Sequence, residues 1–138
     1  MTLSARKQQL LEDFELLENW EEKYDYLIEL GMDLPEMPPE LKTDLNLVRG
    51  CQSSVWFDIR CEDHKIIFDA DSDSLIVKGI VAVVNQLFNE QPAEDVLKAD
   101  LSFFEEVGLW QHLSAQRGNG LLAMIAHLKK AATDCLSD

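Results

Sequence analysis

Along the first thirty residues the hydrophobic positions recur at helical spacing. Leu10, Leu11, Phe14 and Leu17 share one face, which predicts a first helix capped by Ser4 and ending near Leu17. Asn19 followed three residues later by Glu22 is close to a capping box. Trp20, Tyr24, Leu27 and Ile28 then repeat at i, i+4, i+7 and i+8, predicting a second amphipathic helix that stops at Gly31. Pro35, Pro38 and Pro39 remove backbone donors and bias the preceding residues to extended geometry, so 32–40 reads as an ordered but irregular connection. Residues 41–50 carry no clean period. Leu41, Leu45 and Val48 fit one side of a short helical turn, and that assignment stays open.

Beyond residue 54 the period changes to two. Val55, Phe57, Ile59 and Cys61 alternate with Trp56, Asp58 and Arg60, as a half-buried strand requires. The polar stretch E-D-H-K and the β-branched and aromatic I-I-F-D-A-D at 66–71 then predict an antiparallel hairpin. Ser72 or Asp73 is placed to cap the next helix, 75–88, which is apolar on nearly every side except a stripe of Lys78, Asn85 and Gln86 and is therefore central. Pro92, with Glu94 and Asp95 after it, starts a short helix, and F-F-E-E-V before Gly108 suggests another. A last helix turns Leu121, Met124, Ile125 and Leu128 inward and carries Lys129 and Lys130 near its C-terminus. The order implies an α+β fold, an antiparallel sheet with helices packed on it, in one domain over 1–138.

Composition narrows the classes of partner. Twelve Lys and Arg against 26 Asp and Glu give a formal charge of −14, which repels a phosphate backbone and argues against nucleic acid. The first residues lack a secretory apolar segment, and the longest strongly apolar run, I-V-A-V-V at 80–84, is too short to span a membrane. A soluble, cytoplasmic protein is expected. Three cysteines in such a chain read as reduced thiols rather than structural disulfides.

The candidate chemistry centres on R-G-C-Q-S-S-V-W at 49–56. Gly50 permits a turn that presents the Cys51 side chain, and Arg49 is a nearby cation able to favour the thiolate. Taken locally, Cys51 is either such a thiol or a small, partly buried hydrophobe. Cys61 falls on the core face of its strand, sheltered by its neighbours, and Cys135 falls in a frayed tail, exposed and incidental. An iron-sulfur or zinc site built from Cys51, Cys61, His64 and Cys135 is an alternative, though no tight C-x-x-C pair supports it. His64, His112 and His127 read as surface residues. Standard hydrolase and nucleotide-binding signatures are absent. Asp71 and Asp73 flank Ser72 where a helix begins, so capping accounts for them. Arg117 precedes the last helix, where it either meets an anion or partner carboxylate or is simply solvated.

Four stretches, N-W-E-E-K-Y-D-Y-L-I-E-L-G at 19–31, R-G-C-Q-S-S-V-W at 49–56, D-S-D-S-L-I-V-K-G at 71–79 and L-S-A-Q-R-G-N-G-L-L-A-M-I at 113–125, together resemble the SufE family of sulfur acceptors. The resemblance implies a fold shared with the U-type (NifU-like) iron-sulfur scaffold proteins. It implies that Cys51 takes the outer sulfur of a persulfide on a pyridoxal-phosphate-dependent cysteine desulfurase (SufS- or CsdA-like), stimulating that enzyme, and passes the sulfur to an iron-sulfur scaffold complex. The protein would then be a persulfide carrier with no cofactor of its own rather than a stand-alone enzyme, with a homodimer as an open arrangement. Arg49, Gly50, Gln52 and Arg117 would meet the partner. One departure from the family pattern is the S-A-Q-R-G-N-G run, where relatives more often have a serine beside the arginine, and it bears on the partner contact the resemblance implies for Arg117.

Overall fold

In the computed structural model, which describes residues 2–51, 53–100, 102–109, 113 and 115–137, the first helix begins earlier than its apolar face suggests. Helix α1 spans Leu3–Glu15, and its cap is Thr2, whose hydroxyl accepts the Ala5 N–H at 3.1 Å; Ser4 lies inside the first turn. Leu10 and Phe14 are buried, while the Arg6 guanidinium donates to the carbonyls of Gln86 and Asn89 at 3.0 and 2.6 Å. Those carbonyls lie at a helix C-terminus, where no intrahelical donor remains.

Helix α2 spans Trp20–Asp33 and starts as its sequence predicts, with the Asn19 side chain accepting the Glu22 N–H at 2.9 Å. The return bond differs from a capping box, because the Glu22 carboxylate accepts from the N–H of Glu18. Gly31 does not stop this helix. It sits inside, where a Cβ would stand 2.9 Å from the backbone nitrogen of Gly79, and a Cβ on Gly79 would stand 2.3 Å from the Leu27 carbonyl oxygen. The helix ends instead at Asp33, because Leu34 precedes a proline and is forced to extended geometry (φ −62°, ψ 129°).

A 3-10 turn at Pro39–Leu41 follows, with Met37 buried beside the prolines. Residues 43–47 form turns rather than one helical face: Leu45 is 93% exposed while Val48 is buried. Strands β1 (Val55–Glu62) and β2 (Lys65–Ser72) pair antiparallel from Val55 opposite Ser72 to Glu62 opposite Lys65. Asp63 and His64 join them with φ of 52° and 62°, the left-handed pair that a two-residue hairpin turn needs. A short strand the periodicity does not reveal, β3 (Gln91–Pro92), pairs with the start of β2, so the sheet order is β1-β2-β3.

Helix α3 (Leu75–Phe88) is buried on nearly every face, packed on α2 through the Gly31–Gly79 crossing and on β2. Short helices α4 (Ala93–Lys98) and α5 (Ser102–Glu106) lead to the long α6 (Ala115–Ser137), which lies along α4 and both long strands. Leu121, Met124, Ile125 and Leu128 point inward as predicted. Lys129 and Lys130 are two turns short of the helix end, and Lys129 donates to the Ala99 carbonyl. The fold is α+β. No helix among the described residues is long and apolar enough to cross a membrane.

The cysteines need three corrections. Cys61 and Cys135 form a disulfide, with Cα atoms 5.6 Å apart across 74 residues of sequence, rather than two reduced thiols. Cys61 is exposed, because β1 runs past the edge of the core after Phe57. Cys135 is only 2% exposed, since α6 continues to Ser137 and holds it against the sheet instead of fraying.

Candidate functional site

Cys51 sits on a loop whose base is closed by backbone hydrogen bonds. The Val48 N–H donates to Val55 O and the Phe57 N–H to Asn46 O, both at 2.8 Å, and Leu47 bridges Trp56. On the other flank the Asp73 carboxylate accepts the Ser54 N–H at 3.0 Å, while the Ser72 hydroxyl and the Asp73 N–H both donate to Ser54 O. The chain between these clamps reverses at Gly50, whose φ of +97° is costly for a residue with a side chain.

The loop lies on the first turns of α6. The Cys51 thiol donates to the Gly120 carbonyl at 3.6 Å, and a Cβ built on Gly50 would stand 3.2 Å from the Ala123 Cβ. Gly120 and Ala123 are three residues apart, hence neighbours on one helix face, and their small size makes the seat. Cys51 is half-buried there, beside a cavity of about 220 Å³ walled by Leu47, Val48, Arg49, Gly50, Ser53 and Ser54.

Burial pushes the Cys51 thiol above its ordinary value. The expected thiolate-favouring effect of Arg49 therefore does not govern this arrangement, and the Arg49 side chain is exposed. In this seat the thiol is held neutral and sheltered, which suppresses both nucleophilic attack and oxidation.

Beneath the loop, Asp71 accepts ion pairs from Lys42 at 3.0 Å and Lys78 at 3.3 Å with its side chain 3% exposed. Burial alone would raise this carboxyl, but hydrogen bonds from Lys42, the Ser72 N–H and Lys78 outweigh it and hold it below the usual carboxylate range. Lys42 also lies over the Trp56 ring, 5.4 Å from its centroid. Asp71 thus pins the proline-rich segment to the sheet, and Asp73 grips the loop. Neither caps α3, whose N-cap position is Ser74 with no side-chain bond. Sequence neighbours suggest capping, whereas both carboxylates serve partners nineteen or more residues away, Ser54 for Asp73 and Lys42 for Asp71.

Of the residues singled out in the sequence, Arg49 and Gly50 flank Cys51 and are exposed. Gln52 lies outside the described residues, as does His112. Arg117 is exposed and lies inside α6 rather than before it, three residues from Gly120 and so on a neighbouring part of the same face. His64 sits in the hairpin turn, and His127 is half-buried, its ring 6.2 Å from that of Phe57, rather than on the surface. The four residues of the metal alternative do not converge. Cys61 and Cys135 are bonded to each other, and Cys135 lies fifteen residues beyond Gly120, about 22 Å along the helix. No group of three or more His, Cys, Asp or Glu among the described residues is placed to hold a metal ion. The seat residues Gly120 and Ala123 and the clamp between Asp73 and Ser54 escape sequence reading; the small residues spaced i, i+3 on α6 are the available signal.

The family model for SufE, described as an Fe-S metabolism associated domain, matches residues 8–132. An uncharacterized SufE-like protein of Rhizobium meliloti (strain 1021) is 43% identical over 129 residues, covering 90% of this chain and 92% of its own. The solution structure of a hypothetical protein from Thermus thermophilus superposes with a TM-score of 0.79, at 23% identity, over 96% of this chain and 97% of that one; it is similar in fold.

Proposed function

The chain belongs to the SufE family, associated with Fe-S metabolism, and on that premise we propose that it is a sulfur acceptor and carrier using Cys51. Residues 1–138 would act as one such domain. The observation that carries the reading is the state of Cys51: the free cysteine among the described residues, half-buried on a loop with a glycine turn and held to α6 by one 3.6 Å contact from its thiol.

In the transfer step the Cys51 thiolate attacks the outer sulfur of a persulfide on the cysteine of a pyridoxal-phosphate-dependent desulfurase. The new S–S bond forms at Cys51, the donor's S–S bond breaks, and the donor cysteine leaves as thiolate. Leaving the seat restores water to the thiol and removes the burial that holds it protonated, so nucleophilicity rises when the loop is out. Returning to the seat shelters the persulfide until an iron-sulfur scaffold takes the sulfur. Arg49, Gly50 and Arg117 are exposed and, with Gln52, would meet the partner. A cytoplasmic step is part of this proposal, in which removal of sulfur from the desulfurase would stimulate its turnover.

Incubation with a cysteine desulfurase and cysteine, followed by mass spectrometry of alkylated peptides, tests the reading. One added sulfur is expected on the Cys51 peptide and none in Cys51→Ser. Absence of the adduct in the parent protein would overturn it.

A further inference from the structure

The disulfide lies away from the Cys51 seat, and its two sulfurs have unlike surroundings. Cys61 is exposed near the far end of β1, next to the hairpin turn, whereas Cys135 is 2% exposed on the underside of α6. Beyond Ala132 the last turn of α6 presents Thr133, Asp134, Leu136 and Ser137 to water, so Cys135 is its one buried side chain. The bond to Cys61 is therefore the main tie of that turn to the sheet.

We propose that Cys61–Cys135 is a thiol–disulfide exchange site for low-molecular-weight thiols, entered at the Cys61 sulfur, which releases the last turn of α6 when it opens. With Cys61 exposed and Cys135 only 2% exposed, a thiolate approaching from solvent would enter at Cys61. Attack forms a mixed disulfide between the small thiol and Cys61, breaks the protein S–S bond, and expels Cys135 as a thiolate that takes a proton from water. A second thiolate then attacks the small thiol's sulfur in the mixed disulfide, forming the oxidised small-molecule disulfide and freeing Cys61. Two thiols are oxidised for each protein disulfide reduced, so the step balances. Release of the turn carries Cys135 away from Cys61, so the Cys61 adduct outlives its formation. The site does not depend on Cys51 accepting sulfur.

The test uses the full chain equilibrated with graded ratios of reduced to oxidised glutathione, quenched with acid and mapped by peptide mass spectrometry. The glutathione adduct is expected on Cys61 and not on Cys135, with hydrogen exchange accelerating across 133–137 and unchanged across 121–128. Single variants separate the tie from folding. Both Cys61→Ser and Cys135→Ser lack the tie and, while folded by circular dichroism, should exchange amide hydrogens across 133–137 as fast as the reduced parent. A bond that opens only after denaturant unfolds the chain, an adduct on Cys135, or exchange across 133–137 in the folded single variants as slow as in the oxidised parent would each overturn the proposal. Because Cys51→Ser can be carried through the same titration, its outcome is distinct from that of the persulfide assay.

Discussion

The two ends of β1 secure their cysteines by different means. Before the strand, Cys51 rests on Gly120 and Ala123 through a weak thiol contact and van der Waals packing, with the loop gripped at its base. At the other end, Cys61 is joined to Cys135 by a covalent bond that spans 74 residues of sequence. Both ends lean on the same helix. On the proposed function, a noncovalent seat at the N-terminal half of α6 and a covalent tie at its last turn would make the loop the part that yields, with the helix as its rest. The comparison teaches how a thiol could be made deliverable, by giving it little to break and a firm surface to leave.

Removing the covalent end should have the largest effect on stability. In the chain-entropy account, a cross-link over 74 residues contributes about 4 kcal/mol, so the double variant Cys61→Ser/Cys135→Ser should unfold at clearly lower urea with Cys51 alkylation rates little changed. Equal midpoints for the variant and the oxidised parent would show that the tie is not what anchors α6. Next comes the support beneath the loop. Asp71→Asn leaves Lys42 and Lys78 without their carboxylate, at about 2 kcal/mol, less than for a fully buried pair because both ammoniums reach water. Since the folded-state pKa of Asp71 is depressed, its contribution is present above the ordinary carboxylate pKa and is lost as pH falls through the folded value. Acid titration of parent and variant should therefore converge at low pH.

A smaller effect is expected at the flank of the seat. Asp73→Ala removes one acceptor from the Ser54 N–H, costing about 1 kcal/mol, and should speed Cys51 alkylation several-fold if that clamp holds the loop down. An unchanged rate would place the restraint elsewhere. The smallest effect concerns the thiol itself. Its folded-state pKa is raised by burial, so the stability tied to its neutral form is complete below the unfolded pKa and lost as pH rises through the folded one. Iodoacetamide rates followed against pH should reach half-maximum above the value of an unstructured cysteine peptide, and Asp73→Ala should move that midpoint back down.

Sequence periodicity locates the helices, the hairpin and the turn that carries Cys51, because each depends on residues close together in the chain. The features it misreads depend on distant ones. An odd cysteine count favours reduced thiols, yet Cys61 and Cys135 meet only through the register of β1 against α6. Gly31 has the look of a helix stop, the commonest local reason for glycine at that spacing, whereas the Gly79 backbone is what demands it. Asp71 and Asp73 pass for caps, since nothing local reveals Lys42 or Ser54 as their partners. For Cys51 the local chemistry is balanced, and it is matching segments elsewhere in the chain that support the role proposed for the thiol.

The glycine pair at the crossing of α2 and α3 has a mechanical consequence. With hydrogens where other helices interpose side chains, the two backbones touch, and no rotamer lies between them to absorb a push. Helix α3 begins just after Asp73, so load applied where a partner presses on the loop runs through a joint without play. Such a frame behaves as an anvil: force arriving at the rim is returned to the loop, the compliant member, instead of dissipating in the core.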